Sequence, residues 1–130
     1  MFDAWDIAYG LFILAIPLLK KKPIKEVAIV AILSLITLLS LKLYFAVPRP
    51  CSGQEWCPAS YSFPSGHTLF SFSFSSYYVG SDIFLMLYVI SVLTGMERVI
   101  SGVHTPADVV FSLGLSIIVS TLARWINDRA

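Results

Sequence analysis

The chain has 130 residues, 57% of them hydrophobic and 13% charged, with a mean hydropathy of +0.80. A soluble domain carries about 25% charged residues, so this chain has too few to solvate a surface and more apolar side chain than a core of its size holds. A membrane-embedded domain is expected, residues 1–130 as one unit, and the net charge of +1 gives no reason to expect a nucleic-acid partner.

Apolar runs fall at 4–19, 24–47, 67–79, 83–97 and 107–126. A bilayer core about 30 Å thick asks for about 20 helical residues. The second and fifth runs meet that length, and the other three reach the interface through polar ends or shelter against neighbours. The expectation is an all-α integral-membrane helical bundle of five transmembrane helices, N-terminus outside and C-terminus inside. Lys20, Lys21, Lys22 and Lys25 form a block between the first two runs, and Arg124 and Arg129 lie near the C-terminus. With both groups on the cytoplasmic side, the charge bias favours a multi-pass protein of the plasma membrane. The first run lacks a basic leader and a small-residue cleavage pattern, so it reads as a retained segment rather than a signal peptide.

Pro17 is expected to kink or end the first helix, and Pro23 to start the second. Phe70-Ser71-Phe72-Ser73-Phe74-Ser75 alternates as a strand would. A lone strand among membrane helices leaves its backbone groups unpartnered, so a helix is predicted. The serines would then allow close packing and the phenylalanines would face lipid or a lipid-binding cleft. Cys51 and Cys57 bracket a five-residue loop. Two cysteines alone read as free thiols or as a bond, and the spacing is not one usual for zinc. An outer, oxidising location favours the disulfide.

Three clusters of ionisable and small residues interrupt the apolar chain, and an ionisable group in such surroundings is a functional candidate by default. Lys42 and Arg49 stand seven residues apart, two helical turns, with Pro48 and Pro50 set to stop the helix there. Alone, the pair reads as snorkelling interface cations as readily as an anion site. Pro64-Ser65-Gly66-His67 sits where the chain re-enters an apolar run, with Ser65 as a helix N-cap and free N–H groups suited to an anion. The bland alternative is a capped helix with an interfacial histidine. In the third cluster Arg98 precedes a Ser101-Gly102 turn, and Asp108 follows His104 by four residues. Asp108 reads as a capping-box acid after Thr105 and also as a carboxylate able to hold the His104 ring.

Together these residues resemble the type 2 phosphatidic acid phosphatase superfamily, integral-membrane lipid phosphatases that share a fold with vanadium haloperoxidases. Its motifs are Lys, six residues, Arg-Pro; then Pro-Ser-Gly-His; then Ser-Arg, five residues, His, three residues, Asp. They match Lys42…Arg49-Pro50, Pro64-Ser65-Gly66-His67 and Arg98…His104…Asp108 in order. The resemblance implies a phosphohydrolase that needs no metal or other cofactor and works through a phosphohistidine. It implies His104 as nucleophile, Asp108 as its orienting carboxylate and His67 as general acid. Lys42, Arg49, Ser65, Gly66 and Arg98 would bind the phosphate. Two departures stand out: Glu97 occupies a position where the family has a small residue, and five helices replace the common six. An abridged cleft, or one completed by another subunit in a homo-oligomer, would follow.

The expected function is hydrolysis of a lipid phosphate or diphosphate, drawn from the bilayer, at the outer face of a prokaryotic plasma membrane. Polyprenyl diphosphate is slightly favoured over phosphatidylglycerol phosphate and phosphatidic acid. The alternative is a non-catalytic lipid-phosphate binder or small transporter using the same basic pocket.

Overall fold

In the computed structural model, which describes residues 3–129, the chain forms five α-helices. They are α1 (Ala4–Leu19), α2 (Ile24–Phe45), α3 (Gly66–Tyr77), α4 (Phe84–Ile100) and α5 (Pro106–Arg129). All five fall on the apolar runs, so the all-α expectation holds.

The expectation of five crossings does not. Among the described residues only α2 (22 residues) and α5 (24 residues) are long and apolar enough to span a bilayer. The others have 16, 12 and 17 residues. At about 1.5 Å of rise per residue, α3 is about 18 Å long, well short of a hydrocarbon core of about 30 Å. The placement of the termini that was derived from five crossings falls with it. Apolar residues forming a run were counted as a span, whereas α3 spends its run on protein neighbours.

Those neighbours are α5, α4, α2 and α1, which surround α3. Every residue from Thr68 to Ser75 is buried. Phe70, Phe72 and Phe74 therefore do not face lipid; Phe70 and Phe74 join Ile13, Val30, Ile83 and Leu87 in the core. The serines do allow close approach. Ser71, Ser73 and Ser75 on α3, Ser91 on α4 and Ser112, Ser116 and Ser120 on α5 are all buried. Most return their hydroxyls to their own helix, as Ser73 does to the Leu69 carbonyl (2.6 Å) and Ser91 to Leu87 (2.7 Å). A hydroxyl satisfied in this way presents a small surface with no buried polar group left open.

The two long helices keep large apolar side chains outward. Leu35, Ile36 and Leu43 on α2 and Val110, Phe111, Ile117 and Ile118 on α5 are exposed. A soluble core helix would bury these, so they present a face for lipid. Both helices run the length of the bundle. α2 carries the lysine block at its start and Lys42 near its end, and α5 starts at the third cluster. At the far end the Arg124 guanidinium closes the C-terminus of α3 by donating to the Ser76 (3.0 Å) and Tyr77 (3.1 Å) carbonyls. A cation there also suits the negative end of the helix dipole.

Candidate active site

The three clusters meet at the other end of the bundle, around a cleft of about 530 Å³. Lys42, Arg49, Gly66, His67, Arg98 and His104 line it, while Ser65 and Asp108 stand behind its wall.

α2 stops earlier than the prolines suggested. Its C-cap is Ala46, in the left-handed region at φ 48°. Arg49 is thus held by a loop rather than by the helix, and the loop fixes it tightly. Its Nε donates to the Ser60 carbonyl and its Nη2 to the Ser60 hydroxyl, both at 2.8 Å. Nη1 donates to the Val103 carbonyl at 3.1 Å. The Cys51–Cys57 disulfide closes the same loop beside it. Lys42 reaches up to the Tyr61 carbonyl at 2.6 Å.

His104 is 3% exposed, so its two ring nitrogens depend on protein partners. Arg49 Nη1 lies 3.1 Å from Nε2 and Asp108 Oδ2 lies 3.4 Å from Nδ1. A guanidinium can only donate and a carboxylate only accept. The ring is therefore set as the neutral tautomer with its proton on Nδ1 and its lone pair on Nε2, facing the cationic side. Burial, with Arg49 and Lys42 close by, pushes the His104 pKa well below its ordinary 6.5. Burial and the neighbouring Arg98 act in the same direction on Arg49.

Asp108 serves two tasks with one oxygen. Oδ2 accepts the Thr105 N–H at 2.9 Å while Thr105 Oγ1 accepts the Asp108 N–H at 3.2 Å, the capping box expected at the start of α5. The same oxygen accepts the Ser62 hydroxyl and faces His104. Ser62 was not singled out from sequence, because it lies 46 residues from Asp108 with no motif around it.

Ser65 departs from its expected role. It stands at the N-cap of α3, but its hydroxyl bonds Thr68 Oγ1 (2.9 Å) rather than a first-turn N–H. Its own N–H donates to Ser112 Oγ at 2.8 Å, and Ser112 Oγ in turn donates to the Asp108 carbonyl at 2.6 Å. This chain ties the start of α3 to the start of α5. Ser112 follows Asp108 by one helical turn, a spacing that could have flagged it. Gly66 fits under Leu38, where a Cβ would come within 3.1 Å of Leu38 Cδ2.

Arg98 faces the cleft with its Nε buried and unpartnered, and Nη1 only 3.5 Å from Glu97 Oε2. A buried guanidinium N–H left open costs about 1–3 kcal/mol, which an anionic ligand in the cleft would recover. Asp6 and Tyr9, from α1, also line the cleft beside His67 and were not anticipated.

Fold and site define a membrane-associated helical protein with a cationic, two-histidine cleft. The family model described as the PAP2 superfamily matches residues 24–130. The structure is similar to that of Aquifex aeolicus LpxE, with a TM-score of 0.73 and 30% identity over 88% of this chain and 76% of that one. It is also similar in fold to a transmembrane PAP2-type phosphatidylglycerolphosphate phosphatase from Bacillus subtilis, with a TM-score of 0.68, 20% identity, and 98% and 71% of the two chains covered. No functionally curated protein matches it. The chain belongs to the PAP2 superfamily of membrane lipid phosphatases.

Proposed function

We propose that the protein hydrolyses a lipid phosphate or diphosphate through a covalent phosphohistidine at His104. The observation that carries this reading is the His104 ring itself. Its Nε2 lone pair sits 3.1 Å from Arg49 Nη1, and its Nδ1 proton faces Asp108 at 3.4 Å. A phosphate arriving at Arg49 would take over the N–H that now points at Nε2 and so free that lone pair for phosphorus. The 3.4 Å contact is long for a hydrogen bond, as such contacts often are before substrate binds.

In this mechanism the Nε2 lone pair attacks phosphorus and the bond to the leaving oxygen breaks. His67 gives that oxygen its proton. Water then attacks phosphorus while His67 takes a proton from that water, the phosphorus–nitrogen bond breaks with its electron pair returning to Nε2, and inorganic phosphate leaves with His104 restored. Asp108 holds the ring and stabilises the positive charge that forms on it. Lys42, Arg49, Arg98 and the N–H of Gly66 stabilise the phosphoryl oxygens, which is where most of the catalysis in phosphoryl transfer lies. Ser65, anchored to Thr68 and Ser112, supports the turn that presents Gly66.

The reading puts the cleft on the outer face of a plasma membrane. A disulfide at its rim favours an oxidising side. The lysine block at the opposite end of α2 favours the cytoplasm for that end. Polyprenyl diphosphate is the slightly preferred substrate, with phosphatidylglycerol phosphate and phosphatidic acid next. An exposed cleft flanked by apolar α1 and α2 residues, including Leu11, Leu14, Leu35 and Leu38, suits a lipid tail.

The test is phosphate release by purified protein in detergent, with chelator present, from those three lipids, alongside His104→Ala. Release that survives chelation and disappears in the variant supports the reading. Lipid bound without turnover, equally by both proteins, would leave a non-catalytic binder instead.

A further inference from the structure

His67 has a carboxylate of its own. Asp6 Oδ1 lies 3.4 Å from His67 Nε2, and the Tyr9 ring meets the imidazole edge-on with centroids 4.6 Å apart. Both come from α1, which lies outside residues 24–130. The two oxygens of Asp6 are divided between tasks. Oδ2 accepts the Asp3 N–H at 3.1 Å, and the Asp3 carboxylate in turn accepts the Asp6 N–H at 2.9 Å. This capping box fixes the rotamer of Asp6 and leaves Oδ1 directed at the histidine.

A general acid must carry its proton when the leaving oxygen departs. The surroundings of His67 oppose this: burial first, then Arg98 close by on α4, with Lys42 of α2 and Arg49 lining the same cleft. The groups of opposite sign near the ring are Asp6 and Asp3 on α1 and Glu97 on α4, with Tyr9 as its neutral titratable neighbour and Asp108 of α5 behind the cleft wall. Of these carboxylates, Asp6 is the one in ion-pair contact with the imidazole, while Glu97 is turned to Arg98.

Resting on the phosphatase reading above, we infer that Asp6 is a positioning residue for His67. It holds the ring against Tyr9 and favours the imidazolium, leaving Nδ1 as the nitrogen that serves the leaving oxygen. The site then holds two histidine–carboxylate pairs, His104 with Asp108 for attack and His67 with Asp6 for proton delivery. The second pair is assembled only when α1 packs onto the phosphatase core.

Asp6→Asn keeps the size and an oxygen for the Asp3 N–H while removing the charge. Two readouts separate the inference from the reading on which it rests. The first is the titration of the His67 ring by NMR in detergent, its signal assigned by its loss in His67→Ala, since the chain has only two histidines. The midpoint is expected to fall by about one pH unit in Asp6→Asn. The second is the pH profile of phosphate release. Its basic limb should move to lower pH by the same amount, giving about tenfold loss at pH 8, near wild-type turnover on the acid side, and a KM unchanged or lower. Asp6→Glu should restore part of the lost activity. An unmoved His67 midpoint overturns the inference even if the protein proves not to be a phosphatase. A uniform loss of kcat at every pH, with the midpoint unmoved, would make Asp6 only a helix cap.

Discussion

Replacing Asp108 by asparagine separates the structural task of this residue from its chemical one. The asparagine oxygen can still accept the Thr105 N–H now held at 2.9 Å and the Ser62 hydroxyl, so the start of α5 stays capped. A cap kept in this way limits the loss of stability to about 1 kcal/mol. Because Thr105, Ser62 and His104 Nδ1 all face Oδ2, the asparagine oxygen in that place also keeps the Nδ1 proton where it is. What asparagine removes is the negative charge that stabilises the imidazolium formed in the reaction. Losing one electrostatic stabiliser of this kind costs about 10²–10³ in kcat, or about 2.7–4 kcal/mol. Asp108→Ala loses that charge and the hold on the ring, and also leaves the Thr105 N–H and Ser62 hydroxyl open, at about 1–3 kcal/mol for each buried group. Phosphate release with chelator present gives kcat, and thermal unfolding in detergent gives the stability. Asparagine should lower kcat about 10²–10³-fold with little change in Tm, and alanine should lower both. Activity within tenfold of wild type in Asp108→Asn would refute the part assigned to the Asp108 charge in the chemistry at His104.

Three further outcomes are expected. Because the folded His104 pKa lies below the ordinary 6.5, the native ring stays neutral where an unfolded one would bind a proton. The acid limb of kcat/KM should therefore fall below pH 6.5, and stability should decline as pH drops below that value, since the unfolded state then binds more protons. An acid limb at or above 6.5 would contradict the buried, cation-flanked setting. Arg49→Lys keeps the charge but cannot reproduce the four contacts to Ser60, Val103 and His104. It should lower kcat about 10²-fold with the fold intact by circular dichroism. Two glycine substitutions should act in opposite directions on Tm. Gly95→Ala puts a Cβ 3.0 Å from Val109 Cγ1 and should destabilise by about 1–3 kcal/mol. Gly114→Ala meets nothing within 4 Å on α5 and should stabilise by about 0.5–1 kcal/mol.

The helices were legible because apolar runs and their polar interruptions are local. Proline, glycine and charge between residues 45 and 66 and between 100 and 106 ended them where the structure does, within a few residues. The number of membrane crossings was not legible, because hydropathy does not distinguish a side chain against lipid from one against a neighbouring helix. Phe72 and Phe74 are as apolar as Phe111, yet the first two are buried and the third is exposed. At the site, the motif residues were found by spacing, whereas Ser60, Ser62, Asp6 and Tyr9 were not. Each of these acts across a gap in the chain that leaves no periodicity, as Asp6 and His67 do from 61 positions apart.

The sequence alone determined an apolar, helical, membrane-associated chain bearing three clusters of ionisable and small residues, since composition, period and the spacing of a capping box are properties of neighbouring residues. The tertiary structure decided the rest. It made α3 a buried centre rather than a span and put Ser65 behind the cleft wall. It set the His104 tautomer between Arg49 and Asp108, and brought α1 to His67. All of these depend on distances between segments far apart in the chain, and those distances are set by which helix faces pack together.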